Sequence, residues 1–502
     1  MRTESRRPGK SRGKARAAKA VIAVKLARAP SRPGIVSMNL RRADRRKPSV
    51  QVATRRKAPE LALRAIERRA IEAVSWGMPA VNFDLMLQAM YRVAGIPGSN
   101  KIVYWSRPFI WKNQTLTPNP DTIYLMPFFD TTTAGPMVME IPPADEGSFV
   151  GSVDDAWQTA LEDVGPAGAD LGKGGKYVIL SPGYADPVPN GYIPLPSPTY
   201  QSYALLRSSL KSPAAADVAE AVAYAKRVRI YPLSEMGNPP DTVYVDAIDE
   251  MFDATIPHDL RFFESLDRVI QYEPWIERDR AMIDVLKNIG IEKGKTFAPD
   301  AATKKCLESA LREAHAWMDS IYDEFFPPFA EGARWALPTS PELARGIQNS
   351  FAETDSYPID ARGRTYSYVY FSPKRLGAGQ YYLMTIKDKN GKSLDGARDY
   401  RLTVPANPPV NLYWSATAYD RATHSLIRNT PWCSRSSLSE GIQQNTDGST
   451  TLYFSAKTPP GREANWVPTS AHGEFEVMFR LYGPEKAFFD KQWILPDIER
   501  LN

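Results

Sequence analysis

The 502 residues are enough for two or three domains, and with 43% hydrophobic and 24% charged residues the chain can bury an ordinary globular core. The net charge of +6 is unevenly placed: residues 1–60 hold 19 Lys and Arg against Glu4, Asp44 and Glu60, while the remainder carries −10. The body therefore does not read as a nucleic-acid surface, and no run approaches the roughly 18–20 apolar residues of a membrane span.

Residues 1–59, with GKSRGKARAAKA and RRADRRKPSVQVATRRK, lack the apolar surface that would offset their ordering entropy, so a disordered basic tail is expected. A nucleic-acid arm, an anionic-membrane arm, a targeting peptide and an accidental extension upstream of Met38 all remain open. The stretch AAKAVIAVKLARA at 17–29 is interrupted by Lys19 and Lys25. It does not read as a secretory signal, and a cytoplasmic location is expected for the chain as given.

A 3.6-residue periodicity predicts a helix over 60–74, with a break at Gly77 and Pro79 and a second helix over 82–94. From Lys101 the texture changes to short strands (IVYWS, TIYLMPFFD, PMVMEIP, FVGSVDD, KYVILSPG, TYQSYALLRS) separated by Pro and Gly, the pattern of a sandwich or barrel. A helix over 214–228 follows. Helices are then predicted over 259–289 and 302–325. Strands resume at Tyr366 with YSYVYF, QYYLMTIKD, DYRLTVP, VNLYWSATAYD, TTLYFSA and GEFEVMFRLYG, with turn signals at 389–391 and 446–448. In FEVMFRLY, Phe475, Val477, Phe479 and Leu481 share one face, and Glu476, Met478, Arg480 and Tyr482 the other. The expected fold is α+β and β-rich. It comprises the tail, a domain over 60–257 with helices followed by a β-sandwich, a helical connection over 258–365, and a second antiparallel sandwich over 366–502.

The runs EAVSWGMPAVN, NPDTIYLMPFFD, GPMVMEIP, VDDAWQT, VGPAGADLGKGGKYVILSPGY and YALLRS resemble the bacterial domain of unknown function 1254. The runs PPVNLYWSATAYD, LIRNTP, TDGSTTLYFSAKTPPGREANWVPTSAHGEFEVMFRLYGPE and KQWILPDIER resemble the domain of unknown function 1214. Together the two resemblances cover about residues 60–502. They imply a jelly-roll-like C-terminal sandwich, similar in outline to carbohydrate-processing and lectin sandwiches, and carry over no catalytic residue. Many members are exported, which the chain as given does not visibly share.

Four places could carry chemistry. Asn119, Asp121 and Tyr124 lie in NPDTIY, a turn-former because Asn and Asp side chains bond their own backbone and Pro fixes φ. Asp154, Asp155 and Trp157 join carboxylates to an aromatic, a combination suited to sugar binding or acid–base work. Adjacent strand residues point oppositely, however, so a working pair would need Asp121 or Asp130 as its second member. Arg207 could form a charge-assisted fork with one of the carboxylates, leaving the other to a ligand, or a structural ion pair with Asp154. Trp414, Tyr419, Trp432, Trp466 and Tyr482 could stack on a sugar face or fill a core. The Gly-rich GPAGADLGKGGK at 165–176 lacks the phosphate-loop form, since Tyr177 follows Lys176. Two cysteines and four scattered histidines (His258, His315, His424, His472) show no disulfide framework or metal-ligand spacing. No metal or cofactor is expected. Three functions compete: binding of a polar or carbohydrate-like small ligand in a cleft of the β-domains, a carboxylate-dependent hydrolase, and a structural or assembly protein forming homo-oligomers.

Overall fold

The computed structural model describes residues 58–95, 100–322, 327–369, 373–375 and 379–501. The basic tail falls, for residues 1–57, outside them.

Helix α1 (Ala58–Ala94) is continuous, where the sequence predicts two helices. It is buried at most positions from Ala70 to Met90, so packing rather than propensity decides its length. Pro79 has no N–H for the carbonyl of Ser75. Gly363 packs directly against that carbonyl, leaving no room for a Cβ. Gly77 does the same for Leu266, whose side chain would stand 2.9 Å from an added Cβ. Around α1 lie α4 (Arg261–Tyr272), α5 (Met282–Asn288), α6 (Ala301–Ser320) and α8 (Ile359–Tyr368). The short α2 (Thr131–Ala134), α3 (Ala215–Ala225) and α7 (Pro341–Gln348) lie elsewhere.

Two further expectations are corrected. The helix predicted over 259–289 divides after Tyr272, because Glu273 precedes Pro274 and is extended (φ −85°, ψ 149°). Tyr366 ends up in α8, not in a strand. It is fully buried, and its hydroxyl donates to the Gln158 carbonyl at 3.0 Å, so docking overrides its strand preference.

The first domain is a sandwich. Its six-stranded sheet runs β11 (Val243–Asp246), β1 (Lys101–Tyr104), β3 (Ile123–Asp130), β9 (Gln201–Ser208), β5 (Phe149–Asp155), β6 (Ala160–Val164). The four-stranded sheet runs β10 (Arg229–Pro232), β4 (Met137–Ile141), β7 (Gly175–Leu180), β8 (Tyr192–Pro196). Ile123, Leu125, Val153 and Leu206 meet Met137, Met139, Tyr177 and Ile179 in the core between them. A two-residue ladder joins β2 (Asn113–Gln114) to β12 (Phe252–Asp253).

The second domain repeats the plan. One sheet runs β13 (Gln380–Thr385), β20 (Phe475–Pro484), β15 (Val410–Asp420), β16 (Ser425–Leu426), and β17 (Ser434–Ser436) also pairs with β15. The other runs β19 (Trp466–Pro468), β18 (Thr450–Ser455), β14 (Tyr400–Val404), β21 (Glu499–Arg500). Pairing is mainly antiparallel; β1 with β11, β2 with β12, β7 with β8 and β18 with β19 are parallel.

The two sandwiches face each other. Pleating sends Phe475, Val477, Phe479 and Leu481 into the second core. Glu476, Met478, Arg480 and Tyr482 point the other way, yet are only 0, 0, 1 and 8% exposed. From the first domain, Tyr124, Met126, Tyr203 and Leu205, with Phe83 and Met86 of α1, share a core with Met478, Tyr419 and Met384. The polar face of β20 is therefore interior. No described helix is long and apolar enough to cross a membrane.

Candidate functional site

The register of β3 and β9 sets Tyr124 opposite Arg207. Arg207 Nε donates to the Tyr124 hydroxyl at 2.8 Å, and its guanidinium lies 5.3 Å from the centre of that ring. Phe109 stacks on Tyr124 at 4.3 Å, which fixes the ring. The Asn-Pro-Asp turn closes through Asn119 Oδ1, which accepts from the Asp121 N–H at 3.0 Å. The rest of the turn bonds the second domain: Asn119 Nδ2 donates to the Tyr482 hydroxyl, the Tyr413 hydroxyl donates to the Asp121 carbonyl at 3.1 Å, and Ser434 Oγ donates to Asp121 Oδ1 at 2.8 Å. Asp121 Oδ2 is buried without a hydrogen-bond partner among the described residues. Burial raises the Asp121 carboxyl above its ordinary range, against the Ser434 bond and the charge of Arg480.

Strand β20 supplies Arg480, opposite Tyr382 of β13 and Ser415 of β15. It donates to Thr417 Oγ1 at 3.0 Å, the Thr117 carbonyl at 2.9 Å and the Tyr419 hydroxyl at 2.6 Å. Its guanidinium lies 5.2 Å from the Tyr382 ring centre. Among the described residues it forms no ion pair, and its buried Nε has no partner. Thr117 holds φ 39° and donates its N–H to the carbonyl of His424, itself at φ 53°. Two non-glycine residues in left-handed backbone thus meet at the domain contact, a placement that surrounding structure must enforce.

Three cavities meet here. The smallest, about 30 Å³, is lined by Asn119, Tyr124, Leu205, Arg207, Tyr382 and Arg480 among others. A second of about 240 Å³ includes Val150, Val164, Leu205, Arg207, Leu337, Tyr381, Tyr382 and Phe489. A third of about 310 Å³ includes Val150, Arg207, Leu412, Tyr413 and Tyr482. Arg207 lines all three.

Of the residues singled out in the sequence, Asn119, Asp121, Tyr124, Arg207, Tyr419 and Tyr482 converge on this layer; Tyr419 donates its hydroxyl to the Pro118 carbonyl at 2.7 Å. The others do not. Asp154 pairs across from Tyr203 while Arg207 pairs across from Val150, four positions along the same ladder, or roughly 13 Å. The ion pair of Arg207 with Asp154 therefore does not form. Asp155 Oδ1 accepts from the Trp157 and Thr159 N–H groups at 2.8 Å each, the work of a loop cap. Trp157 packs on Trp76 among the helices, with ring centres 4.5 Å apart. Trp414 lies in the second sandwich's core against Phe479. Trp466 is 7% exposed and donates Nε1 to the Ser455 carbonyl. Neither tryptophan offers an open face to a sugar.

Sequence reasoning missed Arg480, Tyr382 and Tyr413 as site residues. The available signal was a strand whose polar face carries an acid, a base and an aromatic. It also missed that three of the four histidines gather: His258 stacks on His315 at 3.7 Å, and His424 Nδ1 lies 3.0 Å from the buried Glu476. Burial and mutual repulsion lower the titration of His258. Among the described residues no group of three or more ligating side chains is placed to hold a metal ion.

Residues 99–232 match a family model described as a protein of unknown function, DUF1254, and residues 379–486 match a second, DUF1214. The chain carries both domains, in that order. Tyr124 and Arg207 fall in the first match and Tyr382, Tyr413, Tyr419 and Arg480 in the second, so the cavities lie where the two domains meet. Among solved structures, the VPA0106 protein of Vibrio parahaemolyticus is 20% identical with a TM-score of 0.53, over 87% of this chain and 100% of that one. That likeness is one of fold. A protein from Burkholderia cenocepacia is 12% identical with a TM-score of 0.39, over 88% of this chain and 94% of that one. No curated protein matches the chain.

Proposed function

We propose that this chain binds a small polar-headed molecule between its two β-domains, with Arg207 as the anchor. The observation that carries the reading is the meeting of three cavities at one arginine. Of the two larger ones, that of about 310 Å³ reaches the lower end of the size range of small-molecule sites and that of about 240 Å³ lies just below it. Tyr124 and Phe109 hold the arginine from behind, so little side-chain freedom is lost on binding. A lectin-like mode through Trp414 and Trp466 gains no support from their packing, and the aromatic surface facing the 240 Å³ cavity is Tyr381, Tyr382 and Phe489. The hydrolase reading loses its acid–base pair, because Asp121 and Asp155 serve separate turns.

The test is a thermal-shift screen of small molecules on the full chain, repeated on Arg207→Ala. A true ligand should lose about 10- to 100-fold in affinity, the equivalent of one hydrogen bond to a charged group at about 1.5–3 kcal/mol. Ligands that stabilise both proteins equally would remove the site from this cleft.

A further inference from the structure

We infer that the molecule held in this cleft is a carboxylate with an apolar body, its head in the small chamber that Arg207 and Arg480 both line and its body in the larger chamber on the other side of Arg207. The inference rests on the inter-domain binding reading above and adds the ligand's chemical class.

The first observation is a charge without a counter-charge. Arg480 stays protonated at any ordinary pH and has five N–H donors in a planar fork. Three hydrogen bonds engage it, all to neutral oxygens, and its buried Nε has no partner among the described residues. A guanidinium 1% exposed with no ion pair among the described residues is costly unless an anion arrives. The carboxyl that senses its charge, Asp121, is held by Ser434 and driven by burial toward its neutral form. It is therefore a weak internal counter-ion.

The second observation is size. A chamber of about 30 Å³ admits a few water-sized groups, which suits the two oxygens of a carboxylate. The fork geometry of a guanidinium favours the same planar head.

The third observation is the wall beyond it. Leu205, Arg207 and Tyr382 line both the small chamber and the 240 Å³ cavity, so the two adjoin at these side chains, and the inferred ligand crosses between them there. That cavity is faced by Val150, Val164, Leu337 and Phe489. Phe489 is 41% exposed at its rim, and Leu412, 65% exposed, borders the third cavity. Large apolar side chains left in water beside an apolar chamber fit an apolar guest.

The test uses the full chain and calorimetric titration with straight-chain carboxylates of four to twelve carbons and the alcohols of equal length. Acids should bind at least tenfold more tightly than their alcohols, with affinity rising with chain length. Arg480→Met should abolish the preference for the acid. Val150→Phe, which narrows the larger chamber, should shift the preference to shorter acids. The acid-against-alcohol comparison needs no variant, so a variant that fails to fold leaves it decisive. Equal binding of acid and alcohol, or equal stabilisation by sodium chloride alone at the same ionic strength, would overturn the carboxylate. Neutral ligands that bind the unaltered chain but not Arg207→Ala would overturn it too, while leaving the cleft as the site. Acids that bind Arg207→Ala and Val150→Phe as well as the unaltered chain would overturn the site itself.

Discussion

Replacing Arg480 with methionine tests whether that arginine is an unpaired buried charge. The substitution removes three hydrogen bonds. The Tyr419 hydroxyl still donates to the Pro118 carbonyl, so it loses little. The Thr117 carbonyl loses its guanidinium donor, at about 1–3 kcal/mol for a buried acceptor, and Thr417 adds about 1 kcal/mol. Against this stands relief of the guanidinium's desolvation, several kcal/mol per ion, and methionine is flexible enough to fill the vacated volume beside Met478. The opposing terms leave a net change within about 2 kcal/mol of zero. An arginine paired with a carboxylate would behave differently, since its removal strands the partner and costs about 3–5 kcal/mol. Urea unfolding at pH 7, followed by tryptophan fluorescence, separates the two. A loss of more than about 3 kcal/mol at unchanged denaturant dependence would refute the unpaired charge.

Three further outcomes are expected. Glu273 accepts from the Tyr200 and Gln201 N–H groups, yet burial pushes its carboxyl up to about 7. The folded chain then keeps a proton that the unfolded chain has lost, so its contribution is present below about pH 4.5 and lost as pH rises through 7. Relative to Glu273→Gln, stability should fall by about 3 kcal/mol across that window, and parallel pH profiles in urea would contradict the assignment. Gly363→Ala should cost about 1–3 kcal/mol by driving a methyl into the Ser75 carbonyl; an unchanged melting temperature would show that α1 and α8 can separate freely. Tyr124→Phe removes the acceptor of Arg207 Nε and should weaken ligand binding several-fold while changing stability by about 1 kcal/mol; equal affinity would mean that Tyr124 does not orient the arginine.

Local chemistry was enough for much of this architecture. Nearly every predicted strand in the two β-domains forms, because Pro and Gly bound short runs of β-branched and aromatic residues. The Asn-Pro-Asp turn closes through Asn119 as its side-chain chemistry requires. Alternation in FEVMFRLY also sorted β20 into its two faces. Alternation cannot say what each face meets, however, because period 2 gives two sides and no partner.

The tertiary structure made the remaining decisions. It buried Arg480 against Thr117 of the first domain and Glu476 against Tyr322 and His424, and register placed Arg207 against Tyr124 rather than Asp154. It carried α1 through Pro79, where a neighbouring helix packs on the carbonyl the proline leaves without its N–H. It also drew His258, His315 and His424 together from three separate segments. The physical reason is the same in each case. Strand and turn preferences are set within a few residues, whereas the partner of a buried charge is chosen by contacts hundreds of residues apart, such as Arg480 with Thr117, which no local pattern encodes.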